Sequence, residues 1–416
     1  MRDSRPVTTY PGRAMPALLT RLGLAAAAVG LLVAAVPAPA LAEQIPGPPA
    51  RPGQEPIGGP LLKGTGLVMQ AEGAVPDPPV KASAWLLADA STGEVLAAKA
   101  PHVRYRPAST LKTLTAITLM PQLDLTKIYR AKDEDANAEG SRVGLVPGAG
   151  YSVNDLWHAL LLPSANDAAS ALANANGGWK RTLTQMNAEA KHLQAYDTVA
   201  KTPSGLDENG QFTSAYDLAL IARQALRTPG FVEVSGTMSY VFPGKPATPG
   251  KKRSTYPIYG QNRLLNHGFE GTVAGKTGYT TEAGRTFWVA VKRGDRTLIG
   301  TFLRIQDGTE ETAKALMTWG FKNAGKLAPV GTLVAADPAT PGAAATGQGV
   351  DAQGASMVNT AGPSAAPGGG LPGWFWVLLP VVLVVGALVA LRRRAVVRER
   401  ERAAARASAR RARSWQ

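Results

Sequence analysis

Between residues 81 and 328 the apolar positions recur with two spacings. Trp85-Leu86-Leu87 is a short apolar run, followed by Asp89, the turn Ser91-Thr92-Gly93 and then Val95-Leu96. That pattern predicts a β-hairpin. Leu111, Leu114 and Ile117 recur at helical spacing behind Pro107 and predict a helix over 109–120. Further helices are predicted over 153–162, 167–175, 214–226 and 310–321. Strands are predicted over 286–291 and 296–303, joined by the hairpin turn Gly294-Asp295. Strands at both ends with helices between them predict an α+β (mixed α/β) domain, its first and last strands paired in a sheet covered by helices.

Outside that region the pattern changes. Residues 1–42 read as a signal peptide: Arg2, Arg5, Arg13 and Arg21 precede the apolar stretch 22–36, and Ala40-Leu41-Ala42 offers a small-residue cleavage site. Residues 43–80 are rich in Pro and Gly and read as a spacer. Residues 329–373, rich in Gly, Ala and Pro, read as a second linker. Residues 374–391 are apolar throughout, begin with Trp374 and Trp376, and are long enough for a single transmembrane helix. The Arg-rich tail, 392–416, follows at once. Positive charge stays on the cytoplasmic side, so the tail is expected inside and the folded region 81–328 outside the cell membrane.

This placement reinterprets the charge. The formal net charge is +15, yet the tail alone carries ten arginines against Glu399 and Glu401. A basic segment beside a span suits anionic lipid better than nucleic acid, so no nucleic-acid partner is expected. The chain has no cysteine, which excludes disulfides, a thiol nucleophile and thiolate metal sites. His102, His158, His192 and His267 lack metal-ligand spacing, so no metal or other cofactor is expected. Trp157, Trp179 and Trp288 read as core.

Three short motifs carry candidate chemistry: Ser109-Thr110-Leu111-Lys112, Ser164-Ala165-Asn166 and Lys276-Thr277-Gly278. Ser109 and Lys112 fall on one face of a helix start, so Lys112 can serve as general base for a Ser109 nucleophile. It must spend time neutral, which desolvation or a nearby cation such as Lys276 would favour. The Ser109 N–H can donate to an oxyanion. The Ser164 hydroxyl can relay a proton, and the Asn166 amide can hold a peptide carbonyl. Lys276 and Thr277 can bind a carboxylate, and Gly278 lets substrate backbone approach. Each motif alone fits an ordinary turn; their order and conjunction point to serine acyl transfer.

With its surroundings, this region resembles the D-alanyl-D-alanine carboxypeptidases, the low-molecular-mass penicillin-binding proteins. The resemblance rests on Pro107-Ala108-Ser109-Thr110-Leu111-Lys112, on Ser164-Ala165-Asn166-Asp167-Ala168-Ala169, on Thr202-Pro203-Ser204-Gly205-Leu206-Asp207 and on Lys276-Thr277-Gly278-Tyr279-Thr280. It implies a β-lactamase-like fold, an antiparallel sheet with covering helices and a helical subdomain. It also implies removal of the terminal D-alanine from peptidoglycan stem peptides through an acyl-enzyme on Ser109, acylation of Ser109 by β-lactams, and the Tyr279 backbone N–H as second oxyanion donor. A DD-endopeptidase or a β-lactamase would use the same residues, and a non-hydrolytic β-lactam or cell-wall sensor is a further alternative. No Glu-x-x-x-Asn segment of the class A β-lactamase kind lies between the second and third motifs, which counts against that enzyme.

Two departures stand out. Many relatives carry an arginine just before the closing helix, for the substrate carboxylate. Here Thr309 takes that place, with Arg304 and Arg285 as other candidates. Some relatives continue into a β-sandwich, whereas here the linker begins soon after Lys326.

Overall fold

The computed structural model describes residues 55–340 and Gly342. The predicted signal peptide, transmembrane segment and Arg-rich tail lie outside the described residues, as does most of the second linker. Among the described residues no helix is long and apolar enough to cross a membrane.

The six longer strands of the eight-stranded central sheet are β1 (Leu67–Ala71), β2 (Ala82–Asp89), β3 (Glu94–Lys99), β4 (Thr272–Thr280), β5 (Gly284–Arg293) and β6 (Arg296–Ile305). Their order in space is β1-β3-β2-β6-β5-β4, every pair antiparallel. The expected pairing of early and late strands is present, with Leu86 of β2 opposite Thr301 of β6. Arg293 and Arg296 pair across the Gly294-Asp295 turn, as that dipeptide predicts.

The larger helices are α1 (Lys112–Leu119), α2 (Val153–Leu161), α3 (Asn166–Ala175), α4 (Trp179–His192), α5 (Ala215–Ala225) and α6 (Thr309–Asn323). They bury both faces of the sheet. Leu86 and Ala88 of β2 join a core with α1, α2, α3 and α5, while Trp85 and Leu87 join a second core with Leu316 and Met317 of α6. A strand covered on both faces has no polar side, which is why β2 reads as a continuous apolar run rather than an alternation.

The Pro/Gly-rich margins are more structured than their composition suggests. The segment read as a spacer contributes β1, which pairs Val68 with Ala98 and Met69 with Ala97. Val68 packs on one core and Met69 on the other, so five residues bury surface on both sides. The segment read as the second linker starts inside the fold: Gly331–Thr332 pairs with Val95 and Glu94, and Leu333 is buried. Tyr216 fastens these margins, its hydroxyl donating to Thr332 O (2.7 Å). Trp157 and Trp288 are buried as expected, but Trp179, the first residue of α4, is 40% exposed, its indole N–H directed to Ser170 Oγ.

Candidate active site

The edge strand β4 meets the start of α1, and the loop before α3 closes the third side. The predicted helix over 109–120 begins as a tighter 3₁₀ turn, Ala108–Leu111, before α1 takes over. In a 3₁₀ turn residues i and i+3 eclipse, which places the lysine directly beneath the serine. Lys112 Nζ lies 2.9 Å from Ser109 Oγ. It also donates to Asn166 Oδ1 (2.6 Å) and Ser204 O (2.7 Å). Lys112 is wholly buried, and its pKa is pushed well below the ordinary lysine value, first by burial and then by the charge of Lys276, with Asp167 opposing. A neutral amine keeps two N–H groups for Asn166 and Ser204, and its lone pair then faces the Ser109 hydroxyl. That is the arrangement a general base requires.

Ser164 sits in a left-handed backbone conformation (φ 65°), which costs a non-glycine residue on the order of 1 kcal/mol and is sustained only where the surroundings dictate it. Its Oγ accepts from Lys276 Nζ at 3.0 Å, and Lys276 also donates to Thr277 O. Burial brings the Lys276 pKa down to about 7. Two buried lysines thus occupy the site, one on the nucleophile and one on the candidate relay.

Asn166 opens α3; its Oδ1 meets Lys112 and its Nδ2 donates to Glu139 O. The neighbouring Asp167, fully buried, accepts from the N–H groups of Val143, Gly144 and Leu145, and so holds that loop against the motif. Asp167→Ala would strand three amides; the expected loss is at least ~3 kcal/mol of unfolding free energy, read from urea titration.

Gly278 of β4 permits the closest approach. A Cβ there would lie 2.8 Å from the Ser109 backbone nitrogen and closer still to Thr286 Oγ1. The third motif therefore abuts the nucleophile turn, and Thr286 Oγ1 fastens β5 to it through Pro107 O (2.9 Å). Thr277 Oγ1 meets Gln261 Oε1, while Tyr279 is exposed.

All eight candidate site residues therefore gather around one cleft. Sequence reasoning overlooked two contributors. Ser204 supplies the carbonyl that holds Lys112; its clue was Pro203-Ser204-Gly205, where Gly205 (φ +82°) turns the chain against Ala108 O. Gln261 bridges Thr277 and Pro163 O, joining the second and third motifs, and no local pattern marks it. None of the four histidines bonds to the candidate residues, although His267, held by Glu310 (2.8 Å), lines the groove along the third motif. His102, for example, lies between Asp197 Oδ2 (2.8 Å) and Ile57 O (3.0 Å), where it ties down the chain before β1. Asn262 caps the short helix Arg263–Asn266, a structural role.

Comparisons with known proteins point to one family. A family model described as D-alanyl-D-alanine carboxypeptidase matches residues 71–306. The D-alanyl-D-alanine carboxypeptidase DacB2 of Mycobacterium tuberculosis is 38% identical over 260 residues, covering 61% of this chain and 87% of that protein. A crystal structure of D-alanyl-D-alanine carboxypeptidase from M. tuberculosis superposes with a TM-score of 0.58 at 36% identity, over 64% of this chain and 99% of that one. The Streptomyces K15 DD-transpeptidase gives a TM-score of 0.56 at 29% identity, over 60% of this chain and 100% of that one. The serine–lysine cleft and a family match over more than half the sequence lead to one conclusion: the chain belongs to the D-alanyl-D-alanine carboxypeptidase family.

Proposed function

We propose that this protein is a membrane-tethered serine DD-carboxypeptidase that trims peptidoglycan stem peptides. The observation that carries the catalytic reading is the buried Lys112 amine 2.9 Å from Ser109 Oγ, its other hydrogen-bond positions already filled. Neutral Lys112 takes the hydroxyl proton as Ser109 attacks the carbonyl between the two terminal D-alanines. The Ser109 and Tyr279 backbone N–H groups receive the oxyanion. The C–N bond breaks, the proton reaches the leaving amine through Ser164, and D-alanine departs. Water then cleaves the Ser109 ester and releases the shortened peptide. Asn166 orients a peptide carbonyl of the stem, and Lys276 and Thr277 bind on the carboxylate side. Penicillins enter the same path because they carry a strained amide and a carboxylate at matching positions.

The apolar stretch 374–391 and the arginines behind it support a single C-terminal anchor, with the catalytic domain on the cell-wall side and the tail in the cytoplasm. The test is direct. The full chain, incubated with a diacyl-D-Ala-D-Ala peptide and separately with a fluorescent penicillin, is expected to release D-alanine and to carry one covalent label on Ser109. Absence of both would sink the reading, and rapid multiple turnover of the penicillin would instead favour a β-lactamase.

A further inference from the structure

We propose that Arg285 receives the terminal carboxylate of the substrate, in place of a cation at the start of α6. This rests on the carboxypeptidase reading above and deepens it.

A groove of about 640 Å³ opens along β4, walled by Gln261, Arg263, Thr277, Arg285, Thr309 and Glu311 among others. The ladder sets which side chains face it. Thr277 pairs with Phe287 and Tyr279 with Arg285, and paired residues of an antiparallel ladder share a face. Side chains alternate along a strand, so Thr277, Tyr279, Phe287 and Arg285 lie on one face and Lys276, Gly278 and Thr286 on the other. The second set meets the nucleophile turn. The first set lines the groove, and within it Arg285 is the diagonal neighbour of Thr277. Diagonal Cβ atoms stand about 7–8 Å apart, a gap that an arginine side chain spans to share a carboxylate with a threonine hydroxyl.

The charges around the groove favour an anion there. Glu310 is already bound to His267 (2.8 Å) and Lys314 (2.7 Å), which hold its pKa below the ordinary carboxylate value. The Glu311 carboxylate folds back against Gly308 at the start of α6. The exposed side chains of Arg263 and Arg285 have no hydrogen-bond or ion-pair partner among the described residues. Arg285 sits on the sheet beside the third motif, whereas Arg263 rides on a four-residue helix. A guanidinium on a rigid strand can meet a carboxylate with two parallel hydrogen bonds, the geometry that separates an acid from its amide.

The experiment compares a diacyl-D-Ala-D-Ala peptide with the same peptide ending in a carboxamide, measuring kcat/KM for each with wild type, Arg285→Gln and Arg263→Gln. Wild type is expected to prefer the acid. Arg285→Gln should lose about 10- to 150-fold on the acid while cleaving the amide at nearly the wild-type rate, so that the preference collapses. Arg263→Gln should keep most of the preference. An unchanged acid/amide ratio in Arg285→Gln, or its collapse in Arg263→Gln alone, would overturn the assignment. A wild type that cleaves the acid leaves the carboxypeptidase reading standing in either event; a wild type that cleaves neither peptide overturns that reading instead.

Discussion

The Ser109→Ala protein is expected to release D-alanine at least ~10⁴-fold more slowly than wild type and to take no covalent penicillin label. The loss is large because the acyl-enzyme route ends with the hydroxyl. What survives is substrate binding and the oxyanion donors, which in serine hydrolases lacking their nucleophile still give roughly 10³–10⁴ over water. The fold should persist. Lys112 keeps its bonds to Asn166 Oδ1 and Ser204 O, and only the 2.9 Å contact to Ser109 disappears. Thermal unfolding within a few degrees of wild type, together with absence of label by gel fluorescence, would place the loss on chemistry. Retained label would mean that another group is the nucleophile.

The site was legible in the sequence because much of its geometry is short-range. The spacing of Ser109 and Lys112 needs only one helical turn, and the 3₁₀ start of that turn tightens what an α-helix would already provide. Gly278 was legible because close backbone approach excludes every larger residue. Contributions from distant segments were harder to read. Ser204 O and Gln261 reach the cleft through loops whose paths depend on packing, and a backbone carbonyl leaves no trace in residue identity. Arg285 could be named beforehand as a candidate, but its relation to Thr277 needed the β4–β5 register.

The fold shows the same division. The β2–β3 hairpin, α2, α3, α5, α6 and the β5–β6 hairpin follow from periodicity and turn residues. Helix α4 escaped because its buried face is partly polar. Thr182 and Gln185 are both buried, and Asn176 Nδ2 satisfies them at 3.0 Å and 2.6 Å. A hydropathy pattern cannot register a stripe built from hydrogen-bonded polar groups. Strand β1 escaped because five residues flanked by Gly and Pro resemble any spacer until β3 is there to pair with them. The hairpin Ser239–Pro243/Thr255–Tyr259 has a similar origin: Phe242 and Ile258 are buried while Val241 and Tyr259 are exposed, an alternation too short to stand out.

Lys112→Arg should lower penicillin acylation by roughly 10²–10⁴-fold, with no recovery at alkaline pH. The substitution keeps positive charge and hydrogen-bond donors near Ser109, but a guanidinium does not give up its proton in this range, so the base is lost while the cation remains. In wild type the sign runs the other way for each lysine. Burial and Lys276 hold Lys112 well below the ordinary lysine value, so its neutral, basic fraction grows as pH rises through that lowered value. Lys276, held at about 7, loses its proton as pH passes that point, and with it the cation on the carboxylate side and on Ser164. Acylation should therefore climb as Lys112 loses its proton and fall above about 7 as Lys276 loses its own. Because the two amines repel, each shifts the other, and the limbs belong to the pair. Lys276→Met separates the contributions: removing the neighbouring charge raises the Lys112 pKa, so the residual acylation should show its acid limb moved to higher pH and no alkaline fall. Stopped-flow acylation across pH 5–10 reads all three proteins, since about 1.4 kcal/mol of lost repulsion moves the limb by one unit. A limb that stays in place in Lys276→Met would show that burial alone, and not the second lysine, sets the base at Ser109.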